Sequence, residues 1–291
     1  MTVTQTNDGV IATLKRFFRH IIHDPLGLLG LILVFVMVMS AIFANFIATH
    51  DPLVMDLQQR LDSPSLNHFL GTDQMGRDVF SRIIYGGRIA LKVALTSIAL
   101  ALLVGLLLGL LAGYGPRWLD NALLLLFDTV RSFPTIMFAL AVVTIVGPSL
   151  ETVILIVVAT SIPVYGRIVR TQTQALKNNE FILAERAMGA GMPRVLFFHM
   201  LPNVIGPLLI VASMDIPVVV TIEAGLSFLG LGVRPPTPSW GSILNEGYSF
   251  IRNTPWLVVA GGLPLVLTTL GFTFLGESLR DIFDPKLNKD H

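Results

Sequence analysis

The sequence predicts an all-α integral membrane protein, and its composition and apolar runs carry that prediction. Of the 291 residues, 53% are hydrophobic and only 13% are charged, whereas about a quarter of a soluble domain is charged. Six apolar runs follow one another, most of them long enough to cross about 30 Å of hydrocarbon. A net charge of +1 argues against nucleic acid as a partner. Six transmembrane helices are therefore expected.

The first apolar run covers residues 26–48 and follows a polar to basic N-terminal segment, residues 1–25. The run is too long for the core of a signal peptide and lacks a clean cleavage site of small residues, so it is expected to be a retained first span. The basic flank places the N-terminus in the cytoplasm.

A polar segment, residues 49–88, is expected to be an extracytoplasmic loop before a five-helix core, residues 89–275. The apolar runs of that core are Ile89–Gly113, Asn121–Val146, Thr152–Val164, Val204–Leu229 and Trp256–Leu275. The run around Pro163 is short, so its helix is expected to continue past Tyr165. Six spans place the tail, residues 276–291, in the cytoplasm as well.

Basic residues mark the loop between the fourth and fifth runs as cytoplasmic. They are Arg167, Arg170, Lys177, Arg186 and Arg194. Bases are also present in residues 49–92, but acids balance them there, and orientation rules weaken for longer loops.

The polar segment 177–203 has the pattern of a short amphipathic helix. Asn179 can cap it, Glu180 suits the positive end of the helix dipole, and Gly189 stands where a left-handed C-cap favours glycine. Pro193 can begin a second helix. Phe181, Ala184, Ala187 and Met188 share one side. A helix of this length is only marginally stable by itself in water, so something must hold it. It is either a docking element for a partner or part of an ordinary solvated loop, and periodicity alone leaves both possibilities open.

The same segment resembles the EAA loop of ABC-importer permeases, in which Glu-Ala-Ala precedes Gly by three residues and Pro follows twelve residues later. The spacing is intact here. Ala184, Gly189 and Pro202 match the pattern directly, whereas Leu183 stands at the Glu position and Glu185 at the second Ala.

Three further blocks resemble the dipeptide, oligopeptide and nickel branch of this family, in the right order. They are His68–Leu91, Gly225–Gly247 and Gly276–Leu287. The resemblance implies a type I importer fold and the second, C-type, permease of a heterodimer in the bacterial inner membrane. It also implies two ATPase subunits that hold ATP and Mg, and an extracytoplasmic solute-binding protein. The implied cargo is di- or oligopeptides, with nickel complexes or glutathione as alternatives.

The resemblance further implies that the short helix of this chain contacts the ATPase subunits. The implied coupling residues are Glu180, Leu183, Ala184, Glu185, Arg186, Gly189 and Pro202. The sequence itself has no Gly-x-x-x-x-Gly-Lys-[Ser/Thr] loop, so ATP dependence must come from a partner, and no enzyme activity of the chain's own is expected. Cysteine is absent, and apart from His20 and His23 no histidines have metal-ligand spacing in a helix, so neither a metal site nor a cofactor is expected.

Ionisable residues inside apolar runs are candidates for function because they are costly at membrane depth unless paired or hydrated. Asp215 and Glu223 are candidates to line a water-filled pathway. In the alternative hypothesis, an ion-coupled secondary transporter, Asp215 or Glu223 is the titrating group. Asp128 and Arg131, three apart, are expected to pair on one helix face.

Three packing features complete the expectations. Gly105, Gly109 and Gly113 form a small face that favours close helix packing over a pore lining. Asp73, Arg77 and Asp78 are expected to tie the first loop together through charge-assisted bonds. Trp240 is expected at a membrane interface.

Overall fold

The computed structural model describes residues 23–283, and these residues form an α-helical fold without a β-sheet. The longer helices, in order, are α1 (Pro25–Ile42), α2 (Val79–Tyr114), α3 (Arg117–Arg131), α4 (Thr135–Val146), α5 (Leu150–Leu176), α6 (Glu180–Ala187), α7 (Leu201–Phe228), α8 (Trp240–Ser249) and α9 (Pro255–Phe283). Short helical turns cover Ala44–Ile47, Leu57–Gln59 and Met192–Arg194, and a π-helical turn, Val195–Met200, leads into α7.

Five of these helices are long and apolar enough to cross a membrane: α1, α2, α5, α7 with the turns before it, and α9. The third predicted span, Asn121–Val146, is wrong as a single helix, because α3 and α4 meet at an angle of 88°. The break lies just before Pro134, which lacks an N–H and disfavours helical backbone at the residue before it. α3 and α4 therefore make a sixth span only if the bent pair is counted as one.

Two helices extend beyond their predicted ends. α2 begins at Val79, well before the predicted residue 89, because the Asp78 carboxylate caps it by accepting from the Ser81 N–H at 2.8 Å. α9 continues past residue 275 to Phe283. α5 runs through Pro163 to Leu176, as predicted.

The most extensive helix contact in the described residues is the packing of α2 on α5. A β-carbon on Gly109 would lie 2.6 Å from the Gly166 carbonyl oxygen, and β-carbons on Gly105 and Gly113 would approach α5 atoms at 2.8 and 2.6 Å. Glycine is required at these positions because the two backbones nearly touch. The expectation of internal packing is confirmed.

Ion pairs join α3 to α5. The Asp120 carboxylate accepts from Arg170, with Nη2 and Oδ2 2.7 Å apart, and Asp128 accepts from Arg167. The expected pair of Asp128 with Arg131 is wrong, because α5 crosses α3 and places its own arginines opposite these acids.

A buried ion cluster joins the first loop (residues 48–78) to α2 and α8. Arg77 donates from Nε to Asp73 Oδ2 at 2.6 Å and from Nη2 to Glu246 Oε1 at 3.2 Å. Arg82 donates to the same Asp73 oxygen and to both Glu246 oxygens, at 2.5 and 3.0 Å. The two guanidinium groups and two carboxylates neutralise one another, which is the condition for burying them. The expected tie through Asp73 and Arg77 is confirmed.

Trp240 completes this junction. Its indole is 3% exposed, donates from Nε1 to the Ile83 carbonyl at 2.9 Å, and covers Gly86 and Gly87 of α2. The indole packs inside the fold because two glycines leave a flat surface for it. The expectation that Trp240 lies at the depth of a membrane interface stays a prediction.

Substitution of Gly109 by alanine is expected to lower stability on the order of 1–3 kcal/mol, since the methyl group forces α2 and α5 apart. The measurement is the thermal unfolding midpoint of the purified protein in detergent. Gly262→Ala is the matched control, because its β-carbon would meet only one side-chain atom, at 3.6 Å. Equal midpoints for both variants would contradict the packing.

The substitution Glu246→Gln is expected to destabilise the fold by about 3 kcal/mol, because it leaves two buried arginines with a single carboxylate. This loss of stability is measured as a lower thermal unfolding midpoint of the purified protein in detergent. Glu277→Gln, at an exposed carboxylate of α9, serves as control and is expected to change little. A Glu246→Gln midpoint equal to that of the wild type would show that the buried ion cluster does not hold the first loop.

Candidate functional site

The candidate site is the segment between α5 and α7, and its central element is α6. This helix begins at Glu180, whose charge lies in the first turn as expected. Asn179 is the N-cap residue, but its side chain makes no capping hydrogen bond, so that detail of the expectation is wrong. The Asn179 backbone carbonyl instead accepts from the N–H groups of Ile182 and Leu183, at 3.0 and 3.1 Å.

Gly189 ends α6 in the left-handed conformation, with φ +86°, as predicted. The Ala190 N–H donates to the Glu185 carbonyl and the Gly189 N–H to the Arg186 carbonyl, each at 3.0 Å. This pair of bonds is a Schellman motif, and it satisfies carbonyls that a helix end otherwise leaves open. A β-carbon on Gly189 would meet nothing within 4 Å, so the requirement for glycine is conformational and not steric.

One side chain anchors α6 to the fold. Ile182 is fully buried and belongs to the same apolar core as Val195 and Met200 of the π-helical turn. Glu185 is half-buried, with Oε1 3.4 Å from His199 Nε2. The helix thus rests on the turn that leads into α7.

The rest of α6 faces outward. Exposed residues of the helix and its C-cap are Glu180, Phe181, Leu183, Ala184, Arg186, Ala187, Met188 and Gly189. Met188 is 74% exposed, and Phe198 beside the helix is equally exposed. An apolar surface of this kind on a polar segment is typical of a protein contact.

A pocket of about 390 Å³ lies beside the end of α6. Its lining consists of Glu185, Met188, Gly189, Ala190, Gly191 and Arg194. A second hollow of about 650 Å³ is lined by Pro193, Arg194, Phe197, Phe198 and His199. Sequence reasoning missed Phe197, Phe198 and His199, although three aromatic rings in succession next to a predicted docking helix are a signal that could have found them.

Pro202 lies apart from α6, exposed in the first turn of α7. The structure therefore brings together the residues from Glu180 to Gly189 and links them to Pro202 only through the π-helical turn. We name the exposed residues of α6 with Met188 and Gly189 the α6 surface.

The two pathway candidates, Asp215 and Glu223, lie on α7 and differ in exposure. Glu223 is fully buried, and its Oε1 accepts from the Ser227 hydroxyl at 2.7 Å, so it does not line an open surface of this chain. Asp215 is half-buried and interacts electrostatically with Tyr165 of α5, whose hydroxyl makes no hydrogen bond of ordinary geometry.

Comparison with known proteins identifies the family. Residues 105–289 match the family described as binding-protein-dependent transport system inner membrane component, and residues 13–64 match the N-terminal TM domain of oligopeptide transport permease C. The fold resembles a chain of the MetNI methionine ABC transporter in an inward-facing conformation. The TM-score is 0.57 at 20% identity, over 70% of this chain and 97% of that one.

Curated relatives align along almost the whole chain. The dipeptide transport system permease protein DppC of Alkalihalophilus pseudofirmus is 37% identical, over 94% of this chain and 90% of its own length. The di/tripeptide transport system permease protein DppC of Pseudomonas aeruginosa is 36% identical, over 94% and 92%. The glutathione transport system permease protein GsiD of Pectobacterium atrosepticum is 37% identical, over 94% and 91%. This chain is a multi-pass membrane protein that belongs to the binding-protein-dependent transport system inner membrane component family, as a C-type permease subunit of ABC importers.

Proposed function

We propose that this chain forms half of the translocation pathway of an ATP-driven importer of di- or oligopeptides. The observation that carries the proposal is the identity of 36–37% along nearly the whole chain to permeases named for dipeptides, di/tripeptides and glutathione. Because glutathione is itself a tripeptide, the three names share one chemical class. Nickel complexes, carried by the same branch, are the alternative cargo.

The proposed topology places the chain in the bacterial inner membrane with both termini in the cytoplasm. The basic residues between α5 and α7 then lie in the cytoplasm, in agreement with the positive-inside rule. The first loop, with its buried ion cluster, then faces outward, where a solute-binding protein delivers cargo.

The α6 surface is proposed to dock into a groove on an ATPase subunit, as helices with an apolar face do. ATP and Mg bind that partner, because this chain has no phosphate-binding loop. Two ATPase subunits and a second, non-identical permease complete the complex. Closure of the ATPase subunits would displace α6, and the buried Ile182 side chain would transmit this displacement to α5 and α7.

Asp215 is proposed to face the pathway, where its half-exposed carboxylate can interact with a hydrated cargo. Glu223 is proposed to serve as an internal polar contact of α7. An ion-coupled transporter that titrates Glu223 has less support, because the Glu223 carboxylate is fully buried within this chain.

The function is tested by isolating the tagged chain from native membranes in mild detergent and identifying its companions by mass spectrometry. A second permease and ATPase subunits are expected, and the complex in proteoliposomes is expected to take up labelled dipeptide only with ATP and binding protein. A lone chain, or uptake that follows a proton gradient without ATP, would contradict the proposal.

Replacement of Gly189 by valine is expected to reduce ATP-coupled uptake at least several-fold. A β-branched residue resists the left-handed backbone at a cost on the order of 1–3 kcal/mol, which distorts the end of α6. Glu185→Ala and Arg186→Ala are expected to have smaller effects in the same direction. Uptake and substrate-stimulated ATP hydrolysis are measured on assembled complexes.

Gly189→Asn is the matched control at the same position, because asparagine tolerates the left-handed conformation. The Gly189→Asn variant is expected to retain most of the uptake activity, because a side chain at this position meets no atom within 4 Å at its β-carbon. Normal uptake by Gly189→Val, or equal losses in both variants, would exclude the left-handed cap as the feature that matters.

A further inference from the structure

Three side chains with metal-binding atoms meet in the first loop. His50 follows α1, His68 lies in the middle of the loop, and Asp78 caps α2. One ligand atom from each lies within 4.8 Å of the other two. Eighteen and ten residues separate the three along the chain, so helical spacing in the sequence could not indicate this cluster.

The distances within the cluster fit a shared ion. His68 Nδ1 lies 2.8 Å from Asp78 Oδ1, and His50 Nδ1 lies 3.8 Å from the same oxygen. Two ligands at right angles on an ion with bonds of about 2.05 Å are about 2.9 Å apart, and a wider angle gives the longer separation. Both distances to Asp78 Oδ1 lie within the roughly 4.1 Å that two ligands of one such ion can span.

The surroundings of His68 suit a metal ligand. Its Nδ1 faces the Asp78 carboxylate, and its Nε2 lies 2.6 Å from the Gln59 side-chain oxygen. A neutral imidazole has one N–H, and when Nε2–H donates to this oxygen, Nδ1 carries a lone pair. If Nε2–H donates to Gln59, the Nδ1 lone pair points at a carboxylate oxygen, which is unfavourable unless a positive charge lies between them.

The side chains around Asp78 can share one cation. The ring of His50 lies beside that of His68, with centroids 4.6 Å apart and the ring planes tilted by 30°. One divalent ion would contact both imidazole nitrogens and the carboxylate at once.

The outer contacts already hold the ligands in place. Asp78 Oδ2 accepts from the Ser81 N–H at 2.8 Å and from the Thr49 hydroxyl at 3.3 Å, which leaves Oδ1 directed at the histidines. The His50 backbone N–H donates to the Ser81 hydroxyl at 3.0 Å. Such second contacts fix the orientation of metal ligands.

We propose that His50, His68 and Asp78 bind a divalent transition-metal ion of the zinc class. Two imidazoles and a carboxylate suit zinc and its neighbours. The His50 side chain is 44% exposed, so a fourth position opens to solvent and takes water. The ion fastens three separate points of the first loop to the start of α2, next to the buried ion cluster.

The test is a zinc titration of the assembled complex, purified with a tag that contains no histidine and stripped with a chelator. For each copy of this chain, the wild-type complex is expected to bind one more zinc ion than the His50→Gln complex. The affinity for zinc at this site is expected to fall at least 10-fold in His50→Gln. His50→Gln is the first choice because the imidazole is 44% exposed; its Nδ1 lies 3.0 Å from the Thr49 hydroxyl, a contact that the ion would replace. Gln59→Leu, which removes the outer partner of His68, is expected to weaken zinc 10-fold or more.

His199→Gln is the control, since His199 lies in the segment between α5 and α7; it is expected to retain the wild-type zinc content. Cobalt in place of zinc reports the ligands directly, through visible absorption bands that wild type shows and His50→Gln lacks. Stripping zinc is expected to lower the unfolding midpoint of wild type only. Wild-type complexes that bind no more zinc than His50→Gln would overturn the proposal.

Discussion

The close approach of α2 and α5 is the constraint on which the rest of the structure depends. Gly109 brings the two backbones together where any side chain would collide with the Gly166 carbonyl. α2 carries the first loop at one end, and α5 leads into α6 at the other. A single helix pair thus fixes both polar ends of the protein relative to each other. The ion pairs between α3 and α5 attach α3 to this helix pair.

The position of α6 follows from this arrangement. A helix of only eight residues is not stable alone, so Ile182 on the core side and the Schellman motif at Gly189 determine where it lies. Its outward residues have no partner in the described part of the chain, which leaves an apolar surface on a polar segment. α6 follows the end of α5, and the π-helical turn after it continues directly into α7, so a displacement of α6 would bear on two membrane helices.

Local signals in the sequence predicted the helical spans, the course of α6 and the left-handed Gly189, because each depends on neighbours within a few residues. Contacts between distant residues were not predictable in this way. Arg167 of α5 pairs with Asp128 of α3, and Glu246 pairs with Arg82, which lies 164 residues away in the sequence. The outward face of α6 was visible in the pattern, but Ile182 as its anchor depends on the π-helical turn, which no periodicity marks.

The most direct measurement is photocrosslinking from the α6 surface in native membranes. The chain has no cysteine, so Ala184→Cys provides a unique attachment point for a photoactivatable reagent. If α6 docks on the ATPase, an adduct that contains an ATPase subunit is expected from Ala184→Cys, and none from Leu66→Cys, an exposed position in the first loop. Adducts from Ala184→Cys with lipid or the second permease alone would contradict the central claim that α6 contacts the ATPase.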